Sequence, residues 1–327
     1  MLRVVTVGAG YFAAFHHEAW RRHPQTELVG VVDADPAKKA DFTSLGAALD
    51  TKPDIIDIAS PPPSHAALVR EAIAAGPRAI ICQKPFTTSA SEAAALAREA
   101  DAAGIPLIVH ENIRFQPWYR RMKEAMGELG DIHQLSFRFR TGDGQGPRAY
   151  LDRQPYFQTM PRLLIQETAV HWIDTFRFLL GPIEGVYADL RHLNPAVTGE
   201  DAGHVLFSFD GGVRGVFDGD RHLDHDTPDP RLTFGEALLE GTQGTITLTG
   251  DGALSQRDFG TREARIIFPP NSWPGFAGDC VYALQAHVVS ALLGHGHFEN
   301  EAQDYVTVRE VEEAIYLSHE EKRWVAT

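Results

Sequence analysis

Short, unbroken apolar runs alternate with stretches of helical spacing along the first third of the chain. The runs fall at Leu2–Val7, Glu27–Asp33, Asp54–Ser60, Ala79–Gln83 and Pro106–Glu111. Strands that are apolar on both sides, with helices between them, predict a parallel sheet covered on each face, the doubly wound α/β arrangement. Helix start and stop signals agree with this spacing. Ser89 with Glu92 three residues on makes a capping box, and Gly104 before Pro106 ends the helix between the last two runs.

From about residue 119 the period changes. Ile132, Leu135, Phe137 and Phe139 mark a strand whose Ser136, Arg138 and Arg140 point the other way, and Val205, Phe207 and Phe209 repeat the theme against Leu206, Ser208 and Asp210. Further runs follow at Val213–Phe217, Leu232–Glu240, Thr245–Thr249 and Arg265–Phe268. Period-two alternation predicts an antiparallel or mixed sheet with one covered face. A helix over Leu163–Leu180 interrupts these strands, and two helices close the chain. Residues 1–118 are thus expected to form one domain on a parallel sheet, and residues 119–327 an α+β domain on a large, mostly antiparallel or mixed sheet.

The stretch Thr141–Arg162 has little regular pattern and holds Gly142, Gly144, Gly146, Pro147, Pro155 and Pro161. Irregular segments of this length inside a compact domain are commonly functional. With Arg148, Arg153, Arg162, Tyr150 and Tyr156 it is expected to be a loop that covers a substrate.

At 327 residues the chain is long enough for two such domains. A formal net charge of -14 presents nucleic acid with a repulsive surface, so no nucleic-acid partner is expected. Two cysteines, Cys82 and Cys280, make no disulfide framework and suit a reducing compartment. No basic start leads into an apolar run with a cleavage site, and no apolar stretch approaches the roughly 20 residues that span a bilayer. The expectation is a cytoplasmic protein with no membrane partner and no bound metal. His222-Leu223-Asp224-His225-Asp226 lacks the spacing of a zinc or oxygenase site and reads as a polar loop.

The first strand runs directly into Gly8-Ala9-Gly10-Tyr11-Phe12-Ala13. In a G-x-G-x-x-A turn between strand and helix, the first glycine permits the tight bend and the second lets backbone approach a pyrophosphate. The small Ala13 lets the helix pack on the strand. Unpaired amides at the helix start then favour the phosphates. Asp33 ends the second strand at the spacing where a carboxylate accepts from the adenosine ribose hydroxyls, which favours NAD, with NADP as the alternative given Lys38 and Lys39 nearby. Residues 1–118 are therefore expected to bind a dinucleotide on a Rossmann-type sheet.

More chemistry follows the later strands: Ser60-Pro61-Pro62-Pro63-Ser64-His65 after the third, Gln83-Lys84-Pro85 after the fourth, and His110-Glu111-Asn112-Ile113-Arg114-Phe115 after the fifth. Ligands of open α/β sheets bind beyond those strand ends. Within Leu163–Leu180, Glu167, His171 and Asp174 stand at i, i+4 and i+7 and share one helix face, with Ala169, Trp172, Ile173, Phe176 and Leu180 as an apolar stripe on another.

With the glycine turn, these segments resemble the glucose–fructose oxidoreductase/inositol dehydrogenase/rhizopine catabolism (Gfo/Idh/MocA) family over nearly the whole chain. The family's E-K-P tripeptide reads Gln83-Lys84-Pro85, its N-x-R-F-x-P signature reads Asn112-Ile113-Arg114-Phe115-Gln116-Pro117, and its D-x-G-x-H-x-x-D helix reads Glu167 through Asp174, with Glu for Asp and Ala for Gly. The resemblance implies hydride transfer between NAD(P) and a sugar, polyol or sugar acid. It places Lys84, His171 and Glu167 at the catalytic site. Gly8, Gly10, Tyr11, Phe12, Ala13, Asp33, Ser60, Pro61, His65, Gln83, Lys84 and Asn112 are expected around the cofactor. Arg114, Tyr156, Arg153, Arg162, Glu167 and His171 are expected around a carbohydrate-like substrate. A homodimer or homotetramer built through the second domain is implied in the same way.

Alcohol oxidation needs a group that takes the hydroxyl proton. Histidine, which titrates near neutrality, suits that task, and a lysine ammonium suits polarising the oxygen, although the two roles can be exchanged. Two other functions use the same scaffold: isomerisation, elimination or glycoside cleavage through transient oxidation, and a non-catalytic NAD- or sugar-sensing regulator. A sensor has no need of an acid/base pair, which Lys84 and His171 would supply.

Overall fold

The computed structural model describes all 327 residues, Met1 to Thr327. The chain divides into two compact units, Met1–Phe115 with Asp279–Arg309, and Gln116–Gly278 with Glu310–Thr327.

In the first unit, strands β1 (Leu2–Val7), β2 (Thr26–Val32), β3 (Ile55–Ile58), β4 (Ala79–Gln83) and β5 (Leu107–His110) alternate with helices α1 (Ala13–Arg22), α2 (Leu45–Ala48), α3 (His65–Ala75) and α4 (Ala90–Ala102). The sheet is parallel throughout, in the order β2-β1-β3-β4-β5. Every residue of β3 and β4 is buried, as strands covered on both faces must be. The Ser89 hydroxyl accepts from the Glu92 amide (3.3 Å) and starts α4 as expected. In this strand order the chain reverses direction across the sheet between β1 and β3, which is where such sheets open a ligand crevice at their carboxyl edge.

The expected extent of the second domain, residues 119–327, is corrected at Asp279–Arg309. This segment holds most of helix α7 (Phe276–Leu292) and the start of α8 (Ala302–Glu321), and it packs with the first unit. Its Leu284, Val288, Val289 and Tyr305 are buried, and its polar groups finish the edge of β5. The Val109 amide donates to the Asn300 carbonyl (2.8 Å), Asn300 Nδ2 to the Glu111 carbonyl (2.7 Å), and the Tyr305 hydroxyl to Glu111 Oε2 (3.1 Å). An edge strand left uncovered would expose its amides, and residues far along the chain cover this one.

The second unit begins with α5 (Pro117–Ala125). Its nine-stranded sheet contains β6 (Ile132–Phe139), β7 (Ile183–Arg191), β8 (Ala202–Phe209), β9 (Arg214–Asp220), β10 (Gly235–Gly241), β11 (Gly244–Leu248), β12 (Leu254–Asp258), β13 (Ala264–Phe268) and β14 (Val325–Ala326). The order is β13-β12-β11-β10-β6-β9-β8-β7-β14, antiparallel except for β6 beside β9. The chain ends on a short strand after the two expected helices. Phe137, Phe139 and Phe217 project from the covered face around Trp172 of helix α6 (Val170–Leu180), the Phe137 and Trp172 ring centroids lying 4.3 Å apart.

Leu163–Leu180 is not one uniform helix. A π-helical turn covers Leu164–Ala169 before α6 begins. Glu200 accounts for this start: its carbonyl accepts from the Leu164 amide (2.9 Å) and its carboxylate from the Ile165 amide (3.1 Å), so the first donors are satisfied outside the helix. The wider turn shifts Glu167 from the α-helical phase assumed for the Glu167/His171/Asp174 row. Ala169, Trp172, Ile173 and Phe176 of the expected apolar stripe are buried, with Asp174 and Leu179 buried beside them, whereas Leu180 is only half-buried.

Candidate active site

In the first unit the site begins at the turn after β1. Gly8 has φ +117°, and a Cβ there would lie 2.6 Å from the Ala59 carbonyl oxygen at the end of β3, so only glycine fits. Gly10 is exposed, and a Cβ there would meet nothing within 4 Å, leaving open space over the turn. Ala13 is buried under α1, whose first-turn amides receive no side-chain cap. Phe12 and Tyr11 hold their rings against Phe15 at centroid distances of 5.4 and 5.7 Å.

Asp33 completes the cradle. Its Oδ2 accepts from the Ala9 amide (2.7 Å) and its Oδ1 from the Asp35 amide (2.9 Å), so the carboxylate is fixed beside the glycine turn with lone pairs to spare. Open backbone, uncapped helix amides and an oriented carboxylate fit a dinucleotide. The anion at Asp33 opposes a 2′-phosphate there.

The turns after β3 and β4 are tied together by His65. Its ring is buried, with Nε2 2.7 Å from the Ser60 carbonyl and Nδ1 3.1 Å from the Phe86 carbonyl. Both nitrogens are engaged by backbone, so His65, expected at the cofactor, also holds the two loops of this edge together. Burial lowers its pKa. Ser60 Oγ lies 2.7 Å from Ser64 Oγ, and Pro61 beside it is exposed. Asn112 is buried and donates to Cys280 Sγ (2.9 Å), an internal contact. The Cys280 thiol is pushed up to about 12, chiefly by burial. Arg114 stands 3.6 Å from the Glu299 carboxylate.

Lys84 follows β4, half-buried, before a cis peptide to Pro85. Gln83 is buried beside it, its Oε1 accepting from the Lys84 amide (2.6 Å) and its Nε2 lying 3.1 Å from His16 Nε2. His16 in turn meets Asp57 Oδ2 through Nδ1 (2.8 Å). Neither His16 nor Asp57 stands out in the sequence, because Asp57 interrupts an apolar run and its partner is far away along the chain.

In the second unit, Glu167 lies in the π turn and His171 near the start of α6, both half-buried, and the His171 carbonyl accepts from the Thr175 hydroxyl (2.8 Å). The Thr141–Arg162 loop packs against this region. It carries a one-and-a-half-turn 3-10 helix over Pro155–Thr159 and a small core of Ala149, Tyr150 and Phe157 with Leu163 and Val197. Asn194 Nδ2 donates to the Gly144 and Gly146 carbonyls (2.6 and 2.9 Å).

Beneath the loop, Arg221 is buried. It donates to Asp143 Oδ1 (3.2 Å) and to the Thr168 hydroxyl of the π turn, and lies over the Phe139, Tyr150 and Phe157 rings. Burial opposes its charge, but Asp143, Tyr150 and Glu167 outweigh burial and its pKa is raised. Asp143 shows the converse: burial would raise it, and Arg221, Thr141 and Arg153 hold it below the usual carboxylate range. Tyr156 is exposed, and burial of its hydroxyl followed by the Glu167 charge raises its pKa, which keeps it a hydrogen-bond donor.

The arginines expected at a substrate have partners of their own. Arg153 donates to Asp143 Oδ2 (3.0 Å), while Arg162 donates to Glu313 Oε1 (2.7 Å) and lies over the Tyr316 ring. His222 Nε2 meets Asp201 Oδ2 (2.9 Å) and His225 Nδ1 meets the Arg140 carbonyl (2.6 Å), so the two histidines serve different neighbours. No helix is long and apolar enough to cross a membrane.

Comparison with known proteins agrees with this architecture. A family described as oxidoreductases with an NAD-binding Rossmann fold matches residues 2–111, and the Gfo/Idh/MocA C-terminal domain matches residues 119–247. D-apiose dehydrogenase from Paraburkholderia graminis is 31% identical, over 98% of this chain and 88% of its own length. D-apiose dehydrogenase from Rhizobium rhizogenes is 29% identical, over 97% of this chain and 95% of its own. A crystal structure of an oxidoreductase from Agrobacterium radiobacter in complex with NAD+, L-tartaric acid and magnesium aligns with TM-score 0.88 and 28% identity, over 99% of this chain and 98% of that one.

Proposed function

This chain belongs to the Gfo/Idh/MocA oxidoreductase family, and from that premise we propose that it is an NAD-dependent dehydrogenase acting on a CH–OH group of a sugar, polyol or sugar acid. The observation that carries this is its near full-length likeness to enzymes named D-apiose dehydrogenase, in a chain with a lysine after β4 and a histidine at the start of α6. A neutral sugar is the favoured substrate, because Arg153 and Arg162 already carry the carboxylates of Asp143 and Glu313.

Bound NAD+ supplies the hydride acceptor. Residues 1–115, completed by Asp279–Arg309, hold it: Gly8 and Gly10 admit the pyrophosphate and Asp33 takes the ribose hydroxyls. Lys84 Nζ donates to the reacting oxygen and stabilises its developing charge. His171 accepts the hydroxyl proton, and Glu167 orients its imidazole. Tyr156 and Arg114 donate to other substrate hydroxyls. Residues of the second unit select the substrate, and its sheet joins copies into a homodimer or homotetramer of a cytoplasmic enzyme, which light scattering after size exclusion tests.

The direct experiment is to supply NAD+ or NADP+ with D-apiose, myo-inositol, levoglucosan or L-tartrate and follow NADH absorbance with product analysis. NADH formation from a neutral sugar is expected, faster with NAD+ than the corresponding reaction with NADP+. Oxidation of L-tartrate alone would move the substrate to the acids, and product without net NADH would mean transient oxidation. Lys84→Met and His171→Ala should each lower kcat by roughly 100-fold or more while NAD+ binding persists. Near-normal turnover in either variant would remove that residue from the chemistry.

A further inference from the structure

A line of buried polar side chains runs under the carboxyl edge of the first unit's sheet, from Asp57 on β3 through His16 on α1 to Gln83 at the end of β4. None of these links has a part in the hydride transfer described above. Two groups in the line can only donate, and they fix the direction of every other bond. The Lys84 amide donates to Gln83 Oε1 (2.6 Å), so the Gln83 amide nitrogen must face His16 Nε2 (3.1 Å). That nitrogen is itself a donor, so His16 Nε2 must accept and the ring proton must sit on Nδ1, facing Asp57 Oδ2 (2.8 Å). Trp20 Nε1 donates to the same oxygen (2.7 Å), which agrees with an ionised Asp57.

The arrangement is under tension. Asp57 is fully buried, and its Oδ1 has no hydrogen-bond partner. Burial alone would raise its pKa, yet the His16 ring, through its charge and its hydrogen bond, together with His110 and the Trp20 N–H, outweighs burial and lowers it. A proton on His16 Nε2, however, would face the Gln83 NH2 group. Gln83 would have to turn its oxygen to the ring, presenting its NH2 to the Lys84 amide and breaking that contact. His16 is otherwise surrounded by His110 of β5, with ring centroids 4.0 Å apart, by Phe12 and His17 of its own helix, and by Gln285 of α7, which donates to its carbonyl.

We propose that Asp57, His16 and Gln83 form a proton-sensitive relay that positions Lys84, in which neutral His16 keeps the Gln83 carbonyl on the Lys84 amide and a proton taken up from solvent at His16 Nε2 withdraws it. Gln83 and His16 are positioning residues, acting on the reaction only through Lys84, so the inference rests on the catalytic reading of that lysine. It gives the glutamine a specific purpose. A glutamate at position 83 would accept from the Lys84 amide and from a protonated His16 together, and the coupling would disappear.

Nitrogen NMR of the His16 ring and of the Lys84 backbone amide in the full-length protein tests this without a substrate. Near neutral pH the wild-type ring should carry one proton, on Nδ1. On acidification the Lys84 amide should shift with the same midpoint as the His16 ring. In Gln83→Glu the ring midpoint should rise by about one pH unit or more, as expected for an added carboxylate, and the Lys84 amide should no longer follow it. A wild-type ring protonated on Nε2 near neutrality, or a ring midpoint unchanged in Gln83→Glu, would overturn the relay. Lys84→Met separates this from the function: its full turnover of D-apiose with NAD+ would remove the lysine's catalytic role while the ring measurement in wild type stood.

Discussion

Asp33 acts twice. Its two oxygens accept from the Ala9 and Asp35 amides, so the carboxylate that is to take the ribose hydroxyls also shapes the turn that is to take the phosphates. Asp33→Ala should therefore weaken NAD+ binding by more than one lost contact. A hydrogen bond to a charged group is worth about 1.5–3 kcal/mol, or roughly 10- to 150-fold in affinity. NADP+ should lose less, because the same substitution removes a repulsion. Titration of both nucleotides checks this, and an unchanged ratio of affinities would deny Asp33 a role in choosing between them. The glycines and Asp33 were legible in the sequence because their geometry is local: two glycines, a helix start and a strand end at fixed spacing. Gln83, His65 and Asn112 are expected at the cofactor from their place after the strands, and the structure adds that each also has a partner inside the protein. Sequence spacing locates a residue at an edge but not the direction of its side chain. His16 and Asp57 were invisible, since a buried polar pair has no periodicity and its members lie on different elements.

The strands that the alternation missed have physical reasons. In β7 a register shift between Ile183 and Gly185 breaks the period-two phase, so the sequence Ile-Glu-Gly-Val-Tyr does not read as one strand. Strand β12 is mostly polar, and its buried Gln256 donates through Nε2 to Glu128 (3.2 Å) rather than packing as an apolar residue would. The irregular Thr141–Arg162 stretch was readable as a loop, but its anchor was not, because Arg221 comes from beyond β9. That anchor sets the loop's order. Asp143→Asn removes the charge that Arg221 and Arg153 share, and leaving a buried arginine without its carboxylate costs on the order of 3–5 kcal/mol. A loop held this way should open locally before the sheet does, so trypsin should cut after exposed Arg148 markedly faster in the variant than in wild type. Equal cleavage rates would mean that the Ala149, Tyr150 and Phe157 core holds the loop unaided. In wild type, the low pKa of Asp143 gives a contribution that is complete above its ordinary value of 3.8 and is lost as pH falls further.

The two sheets of the molecule follow from the two periodicities, but the membership of Asp279–Arg309 does not. An amphipathic helix announces that it has an apolar face, not which sheet that face will cover. The completed first unit buries three histidines whose pKa values are lowered, each chiefly by burial: His17, His23 and His65. All three start from 6.5, so the unfolded chain takes up these protons before the folded one does. Folding stability from these groups is therefore whole above about pH 6.5 and declines as pH falls toward their native values. Net charge works the other way. The chain carries -14 near neutrality, and acidification relieves that repulsion. Salt separates the two effects, because at about 1 M the Debye length is about 3 Å and surface repulsion is screened while buried rings are not. Under those conditions the calorimetric midpoint of the first unit should fall between about pH 7.5 and pH 5.5. A midpoint that stays level or rises at high salt would mean that these histidines take up protons within the fold, and that their burial is more permeable to water than the closed edge of β5 implies.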